Sequence, residues 1–295
     1  MMLHAQAPAP SKYTLPEGGD RILDFYNKLI GLDQTHFGVW NAGDELNLQN
    51  FRSAVERYTQ LLASLIPEGV SSIVDAGCGF GGVANTLQQL GYNVTGVTPD
   101  SLQISYCESK YPSTKWIQSA FEKLDLGTQK LDLVLMAESC QYLDLELALG
   151  QSSRILSQQG YLLVADYFIV DDASSAKTPL GSGHHLGYFL DVTDRNGFNL
   201  VKEVDVTERV LPTLDCAASF FEAKHSAVIE LAKATIDTAS STSNAARIAL
   251  SGDGEGNPVW NREIFENYKT YRFFLFQKSS PFSEASFSMP RPTLI

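Results

Sequence analysis

The chain of 295 residues predicts an α/β fold: a doubly wound, mostly parallel seven-stranded sheet with N-terminal helices and a helical cap inserted before the last strand. Three observations predict it. Strand-like and helix-like segments alternate from Ser71 to Phe168 with short joins, the pattern of parallel strands linked by right-handed crossovers. Several strand segments, such as LDLVLMA over Lys130 to Ala137, are apolar runs with a single acid, as expected of strands buried on both faces. A last apolar run, YRFFLFQ from Tyr271 to Gln277, stands apart, beyond an Ala-, Ser- and Thr-rich stretch with helical spacing from Leu214 to Leu250.

In chain order, Asp20 to Gly31 reads as a helix, followed by His36-Phe37-Gly38-Val39-Trp40. Asp44 to Leu65 reads as one or two helices, because Leu46, Phe51, Val55, Tyr58, Leu61, Leu62 and Leu65 recur at helical spacing; Pro67-Glu68-Gly69 breaks it. Ser71 to Val74 opens the first strand, a glycine turn follows, and Val83 to Leu90 is the next helix. Gly91 to Thr98 is the second strand. Asp100 to Tyr111 is a helix capped by Asp100 or Ser101 and ended by Pro112. Lys115 to Ser119 is a third strand, Lys130 to Ala137 a fourth and Leu145 to Leu156 a helix stopped at Gln159-Gly160; Tyr161 to Phe168 is a fifth strand. His185 to Asn196 reads as a helix, Asn199 to Thr207 as a strand and Glu263 to Tyr268 as a short helix.

The organising stretch is Ile73-Val74-Asp75-Ala76-Gly77-Cys78-Gly79-Phe80-Gly81-Gly82. Glycine serves where the backbone turns tightly or must approach a ligand closely. The helix N-terminus beneath offers free N–H groups to a polar or anionic group. The spacing of Gly77, Gly79 and Gly82 also fits the dinucleotide fingerprint G-x-G-x-x-G. Asp75 argues against that use, since a carboxylate two residues before the first glycine would repel a pyrophosphate yet could pair with an ammonium.

Strand, acidic residue and G-x-G together resemble motif I of class I S-adenosylmethionine-dependent methyltransferases. The run Gly96-Val97-Thr98-Pro99-Asp100-Ser101-Leu102-Gln103 resembles the G-[IV]-T-x-x-x-x-Q variant of the tocopherol, sterol and cyclopropane-synthase-like branch. Tyr26 with His36-Phe37-Gly38-Val39-Trp40 resembles the N-terminal F-Y-(D/N) and H-[FY]-G-x-W segments of that branch. The resemblance spans roughly Leu23 to Lys278, with its specific motifs between Tyr26 and Tyr142. It implies a sheet order of 3-2-1-4-5-7-6 and an S-adenosyl-L-methionine cofactor.

The resemblance implies roles residue by residue. Asp75, Gly77 and Gly79 would hold the methionine part, and Thr98 and Gln103 would replace the usual acid at the ribose. Ala120, by its backbone, and Phe121, by its ring, would hold the adenine. Carbonyls near Ala137 would face the methionine part, and Tyr26 and Trp40 would reach its carboxylate from a segment folded over the cofactor. Plain packing is an open alternative for Phe121 and Trp40, and Asp100 could be a simple cap. Glu138 and Tyr142, in the E-S-x-x-[HY]-like run Glu138-Ser139-Cys140-Gln141-Tyr142, could face the cofactor or the acceptor, with Glu138 a base, an orienting group or a helix cap. His184 and His185, after Gly181-Ser182-Gly183, are candidate proton acceptors. Tyr167, Tyr188, Phe220, Phe221 and His225 complete the expected acceptor pocket. Cyclopropane synthases carry a glutamate followed by His where this chain has Gln141-Tyr142; an amide cannot replace that carboxylate, so cyclopropanation is disfavoured.

The expected divisions are 1–19, a lead-in; 20–66, a helical segment over the cofactor; 67–208 with 268–280, the core; 209–267, a substrate cap; and 281–295, a tail. The formal charge of −12 disfavours nucleic acid and anionic membrane surfaces as partners. No run of 18 apolar residues is present, so no membrane span is expected. Met1 to Pro16 lacks a basic region followed by an apolar one, so no signal peptide is expected, and a cytoplasmic setting follows. Cys78, Cys107, Cys140 and Cys216 have no paired or zinc-like spacing, so no metal is expected and the thiols read as reduced.

The partner is a small, largely apolar acceptor, uncharged or a carboxylate. A diphosphate acceptor ranks lower, because Lys177, Arg209, Lys224 and Arg247 are scattered. The oligomeric state stays open, a homodimer among the options. O-, N- and C-transfer are not separated. The alternatives are an NAD(P)-dependent oxidoreductase and a catalytically silent S-adenosylmethionine-binding protein.

Overall fold

The computed structural model describes residues 31–170, 180–219 and 261–279. Seven strands form one sheet: β1 (Ser72–Ala76), β2 (Asn93–Thr98), β3 (Lys115–Gln118), β4 (Leu131–Ala137), β5 (Leu156–Ile169), β6 (Phe198–Asp205) and β7 (Lys269–Lys278). Their order is β3-β2-β1-β4-β5-β7-β6. The first five run parallel, with Val74 facing both Thr95 of β2 and Val134 of β4. β7 inserts antiparallel between β5 and β6. The α/β class and the strand order expected from the sequence are those observed.

Helices cover both faces. They are α1 (Leu48–Ser64), α2 (Gly82–Gln89), α3 (Ser101–Lys110), α4 (Leu145–Ile155), α5 (Leu186–Arg195), α6 (207–219) and α7 (Arg262–Tyr268). Capping sets the starts: Asn47, Asp100, Asp144 and Asn261 each accept a first-turn N–H through their side chains. One core layer joins α1, α2, α6 and α7 to the sheet through Tyr58, Leu87, Leu211 and Phe265. The other joins α4 and α5 through Leu149 and Phe189. Burying such side chains is worth roughly 1.5–3 kcal/mol each, which is the main drive for both layers.

Three local expectations need correction. Gln159-Gly160 does not stop the helix: α4 ends at Ile155 and β5 starts at once. Residues 157–160 instead bulge between the Leu131–Leu156 and Leu133–Tyr161 pairs, with Gln159 at φ +63°. The helix expected from Asp44 begins at Leu48, because Asp44 folds onto Arg57 and the Asn41 N–H instead of entering a helix. The strand expected to reach Thr207 ends at Asp205, and Asp205 caps the Thr207 N–H that opens α6.

Several readings lie outside the described residues. These are the lead-in, Tyr26 and its helix, Lys177, most of the cap including Phe220, Phe221, His225, Lys224 and Arg247, and the tail beyond Ser279. Among the described residues no helix is long and apolar enough to cross a membrane. The four cysteines are free and buried.

Candidate functional site

The site forms at the carboxyl ends of β1, β2 and β4, on either side of the point where strand order reverses, where open α/β sheets place their ligands. Asp75 sits near the end of β1, only 2 % exposed. Burial raises its carboxyl to a pKa of about 7. Its Oδ2 has no hydrogen-bond partner in the protein. A buried acid with an unpaired oxygen is costly, and a cationic ligand group would meet its need.

The turn after Asp75 depends on glycine. Gly77 adopts φ +78°, and a Cβ there would lie 2.5 Å from the Ser139 Cβ. Ser139 in turn bonds the Ala76 carbonyl at 2.5 Å, which locks the post-β4 segment against β1. Gly77 and Cys78 both donate their N–H to the Val97 carbonyl, at 2.8 and 3.0 Å, tying the turn to β2. Gly79, at φ +54°, faces Thr35. α2 starts after Gly81 with no side-chain cap, so its first amides have no side-chain competitor for a ligand.

At the end of β2, Thr98 is buried and donates its hydroxyl to Gln103 Oε1 at 2.6 Å. Asp100 is the side-chain cap of α3, accepting from Leu102 and Gln103. The threonine–glutamine pair is therefore preassembled. After β3, Ala120 is half-buried at the head of a short 3-10 turn, while Phe121 is 2 % exposed and packs in the second core layer. Ala137 ends β4 opposite Ala165.

The N-terminal segment covers the glycine turn. A Cβ on Gly82 would lie 2.6 Å from the Asp33 backbone. Asp33 accepts from Tyr106 at 2.6 Å, from Tyr111 at 2.5 Å and from Lys110 at 2.8 Å. Burial would raise the Asp33 carboxyl, but these three donors outweigh it and hold it below its ordinary value. Trp40 is not brought to this turn. Its indole donates to Thr213 at 3.0 Å, and its ring packs with Phe51, Ala54 and Cys216 in a separate cluster.

The post-β4 run is the other half of the site. Glu138 has φ +53°, a left-handed backbone that a glutamate adopts only under constraint. Its Oε1 accepts the Phe37 N–H at 2.6 Å and the Tyr271 hydroxyl at 2.7 Å. Burial raises its pKa to about 8, against the pull of those two donors. It does not cap the following helix; Asp144 does. Tyr142 is about half exposed. His184 is half-buried, with Nε2 3.0 Å from the Cys140 carbonyl, and burial lowers its pKa. His185 is exposed, and its backbone bridges to Ile169. Gln141 Oε1 accepts from Tyr167 and, at 2.7 Å, from Ser182.

Sequence reasoning missed three buried groups beside this run. Asp166 is wholly buried, accepts the Gln141 and Tyr167 N–H groups, and is raised by burial to about 7. Lys269, at the head of β7, is 3 % exposed. Tyr271 joins Tyr58 to Glu138. The available signal was a charge next to an apolar run, since Asp and Lys are almost never fully buried without a reason.

Residues 74–164 match the methyltransferase domain family. The ubiquinone/menaquinone biosynthesis C-methyltransferase of Campylobacter jejuni is 24 % identical over 116 residues, covering 37 % of this chain and 49 % of the relative. The chain thus spans about half the length of that curated relative. Among solved structures, the 4+2 cyclase SpnF superimposes with a TM-score of 0.66 at 19 % identity, covering 88 % of this chain and 93 % of SpnF. The geranyl diphosphate C-methyltransferase of Streptomyces coelicolor, solved with S-adenosyl-L-homocysteine, gives 0.62 at 16 %, covering 88 % and 94 %. Fold, glycine turn and family match agree: the chain carries a methyltransferase domain of the class I S-adenosylmethionine-dependent kind across residues 74–164.

Proposed function

We propose that this protein binds S-adenosyl-L-methionine and moves its methyl group to an O, N or C nucleophile of a small, largely apolar molecule. The observation that carries this reading is Asp75: a buried carboxyl with an unpaired oxygen, at the mouth of β1 and one residue before the Gly77 turn. An ammonium group would neutralise it, whereas a pyrophosphate would worsen it. That preference argues against a nicotinamide dinucleotide.

The residues fit the cofactor. Asp75 would take the amino group, Gly77 and Gly79 would leave room for the chain of the ligand, Thr98 and Gln103 would meet the ribose, and the Ala120 backbone would meet the adenine. The bound sulfonium supplies an already activated methyl group. The protein therefore has to align the acceptor and exclude water, which in comparable systems is worth several kcal/mol of barrier. Residues 33–35 and Phe37 roof the turn and do the excluding. Glu138 serves best as a positioning residue, since its Oε1 is already bonded to Phe37 and Tyr271. The bonding of Gln141 to Tyr167 and Ser182 leaves no carboxylate there, which supports the case against cyclopropanation.

Thermal-shift assays with S-adenosylmethionine, S-adenosylhomocysteine, NAD(H) and NADP(H) test the reading. A ligand at 100 times its Kd adds about 2.7 kcal/mol of stability. We expect shifts with the two sulfur nucleosides only. A shift with a nicotinamide nucleotide and none with S-adenosylhomocysteine overturns it. The SpnF likeness shows the fold alone, so methyl release from labelled S-adenosylmethionine separates transfer from silent binding.

A further inference from the structure

Lys269 heads β7 and pairs with Ile169 at the carboxyl end of β5. It therefore stands at the ligand-bearing edge of the sheet, beside the post-β4 run. Its ammonium donates to the Ser182 carbonyl at 3.1 Å and lies 4.5 Å from the centre of the Tyr167 ring. Among the described residues no carboxylate stands within ion-pairing distance of it. Asp166 is the nearest acid to act on it, at longer range, and spends its oxygens on the Gln141 and Tyr167 amides. One of three N–H donors is thus satisfied in a residue 3 % exposed. Burial lowers its pKa to about 8.

A buried ammonium without a counter-ion does not stabilise a fold, because its lost hydration is not returned by a partner. Such a group at a ligand-bearing edge points to a ligand that brings the partner. Lys269 also borders a cleft of about 370 Å³ between the end of β5, at Val170, and the start of α6, at Val206 and Thr207. The other charges on that cleft are Asp205, Glu208, Arg209 and Arg272, two of each sign. Arg272 is already paired with Asp205 and Glu203. Lys269 is left as the local excess of positive charge.

We infer that Lys269 determines specificity: the methyl acceptor is a mostly apolar carboxylic acid, whose carboxylate is held by the Lys269 ammonium with the Tyr167 and Ser182 hydroxyls beside it. A single ammonium suits a monoanion. A diphosphate would need several cations and would meet Asp166 and Glu138 instead. Calling the ligand an acceptor rests on the methyltransferase reading; the carboxylate site itself does not.

The test uses the full chain, with and without S-adenosylhomocysteine, in calorimetric titrations of octanoate, decanoate and benzoate, each beside its methyl ester. We expect at least one acid to bind tenfold or more tightly than its ester. Lys269→Met, with Lys269→Gln as a second neutral replacement, should abolish that preference while S-adenosylhomocysteine affinity stays within twofold. Lys269→Arg should keep it. Equal binding of every acid and ester, a preference that survives in the neutral variants, or geranyl diphosphate binding tighter than every acid overturns the inference. Failure of S-adenosylhomocysteine to bind sinks the methyltransferase reading alone, because the acid–ester comparison is also read without it.

Discussion

Glu138 Oε1 accepts the backbone N–H of Phe37 at 2.6 Å, joining the post-β4 run to a segment 101 residues earlier in the chain. Tyr271, from the last strand, donates to the same oxygen. One carboxyl oxygen thus gathers three distant parts of the chain beside the proposed cofactor site. With its pKa raised to about 8 by burial, the carboxyl is mostly protonated at neutral pH. Glu138→Gln should therefore keep stability at pH 7 within about 1 kcal/mol. Glu138→Ala should cost roughly 2–4 kcal/mol, since it strands two buried donors. Urea unfolding of both variants checks this, and equal losses would refute it.

Asp75 predicts a pH dependence. Its native pKa, raised by burial to about 7, exceeds the ordinary value of 3.8. The folded protein thus holds a proton that the unfolded chain releases, so the contribution is full below about pH 4 and is lost as pH rises to about 7. Wild type should lose stability relative to Asp75→Asn across that window, by at most about 1.4 kcal/mol per pH unit. His36, lowered by burial to about 4, acts in the opposite sense, and the comparison of variants cancels it. S-adenosylhomocysteine should bind wild type more tightly as pH rises toward 7. Asp75→Asn should bind it at least 100-fold more weakly, with no such trend. Calorimetry at pH 5, 6 and 7 measures both.

Gly77→Ala combines a positive φ with a Cβ placed 2.5 Å from Ser139. The backbone term is about 1–2 kcal/mol and overpacking adds about 1–3 kcal/mol. We expect a loss of about 2–5 kcal/mol together with loss of S-adenosylhomocysteine binding. Gly69→Ala is the control: it shares a positive φ but has nothing within 4 Å of the added methyl, so it should show the backbone term alone.

Asp33→Ala removes an acceptor shared by Tyr106, Lys110 and Tyr111. The three bonds fasten the N-terminal segment to α3 and its end. Amide exchange at residues 33–37 should speed by tenfold or more, and S-adenosylhomocysteine should dissociate faster, with the β1–β4 amides unchanged. Unchanged exchange at 33–37 would show that other contacts hold the segment.

The βαβ half was legible because its signals are local: a cap at Asp100, an apolar run at Leu131–Ala137, a glycine turn at Gly77. The bulge at 157–160 was not, since Gln159-Gly160 looks the same whether it ends a helix or bends a strand. Asp75, Thr98 and Gln103 were legible as a motif, and the structure adds the buried, unpaired oxygen and the preformed hydroxyl–amide bond. Trp40 shows the converse. A motif position does not tell where an indole points, and Thr213, 173 residues later, decides it. Asp166 and Lys269 escaped notice because their burial depends on the β5–β7 pairing, which brings together residues about 100 apart in sequence.

Thr213 carries one more implication. Its hydroxyl receives both the Gly38 N–H and the Trp40 indole N–H, each at 3.0 Å, so α6 and the stretch leading into α1 share a single rivet. Whatever lifts one cover must drag the other. Cofactor entry and acceptor entry are thereby geared to a common movement, and an enzyme built this way would load its two reactants through one breathing motion of its roof.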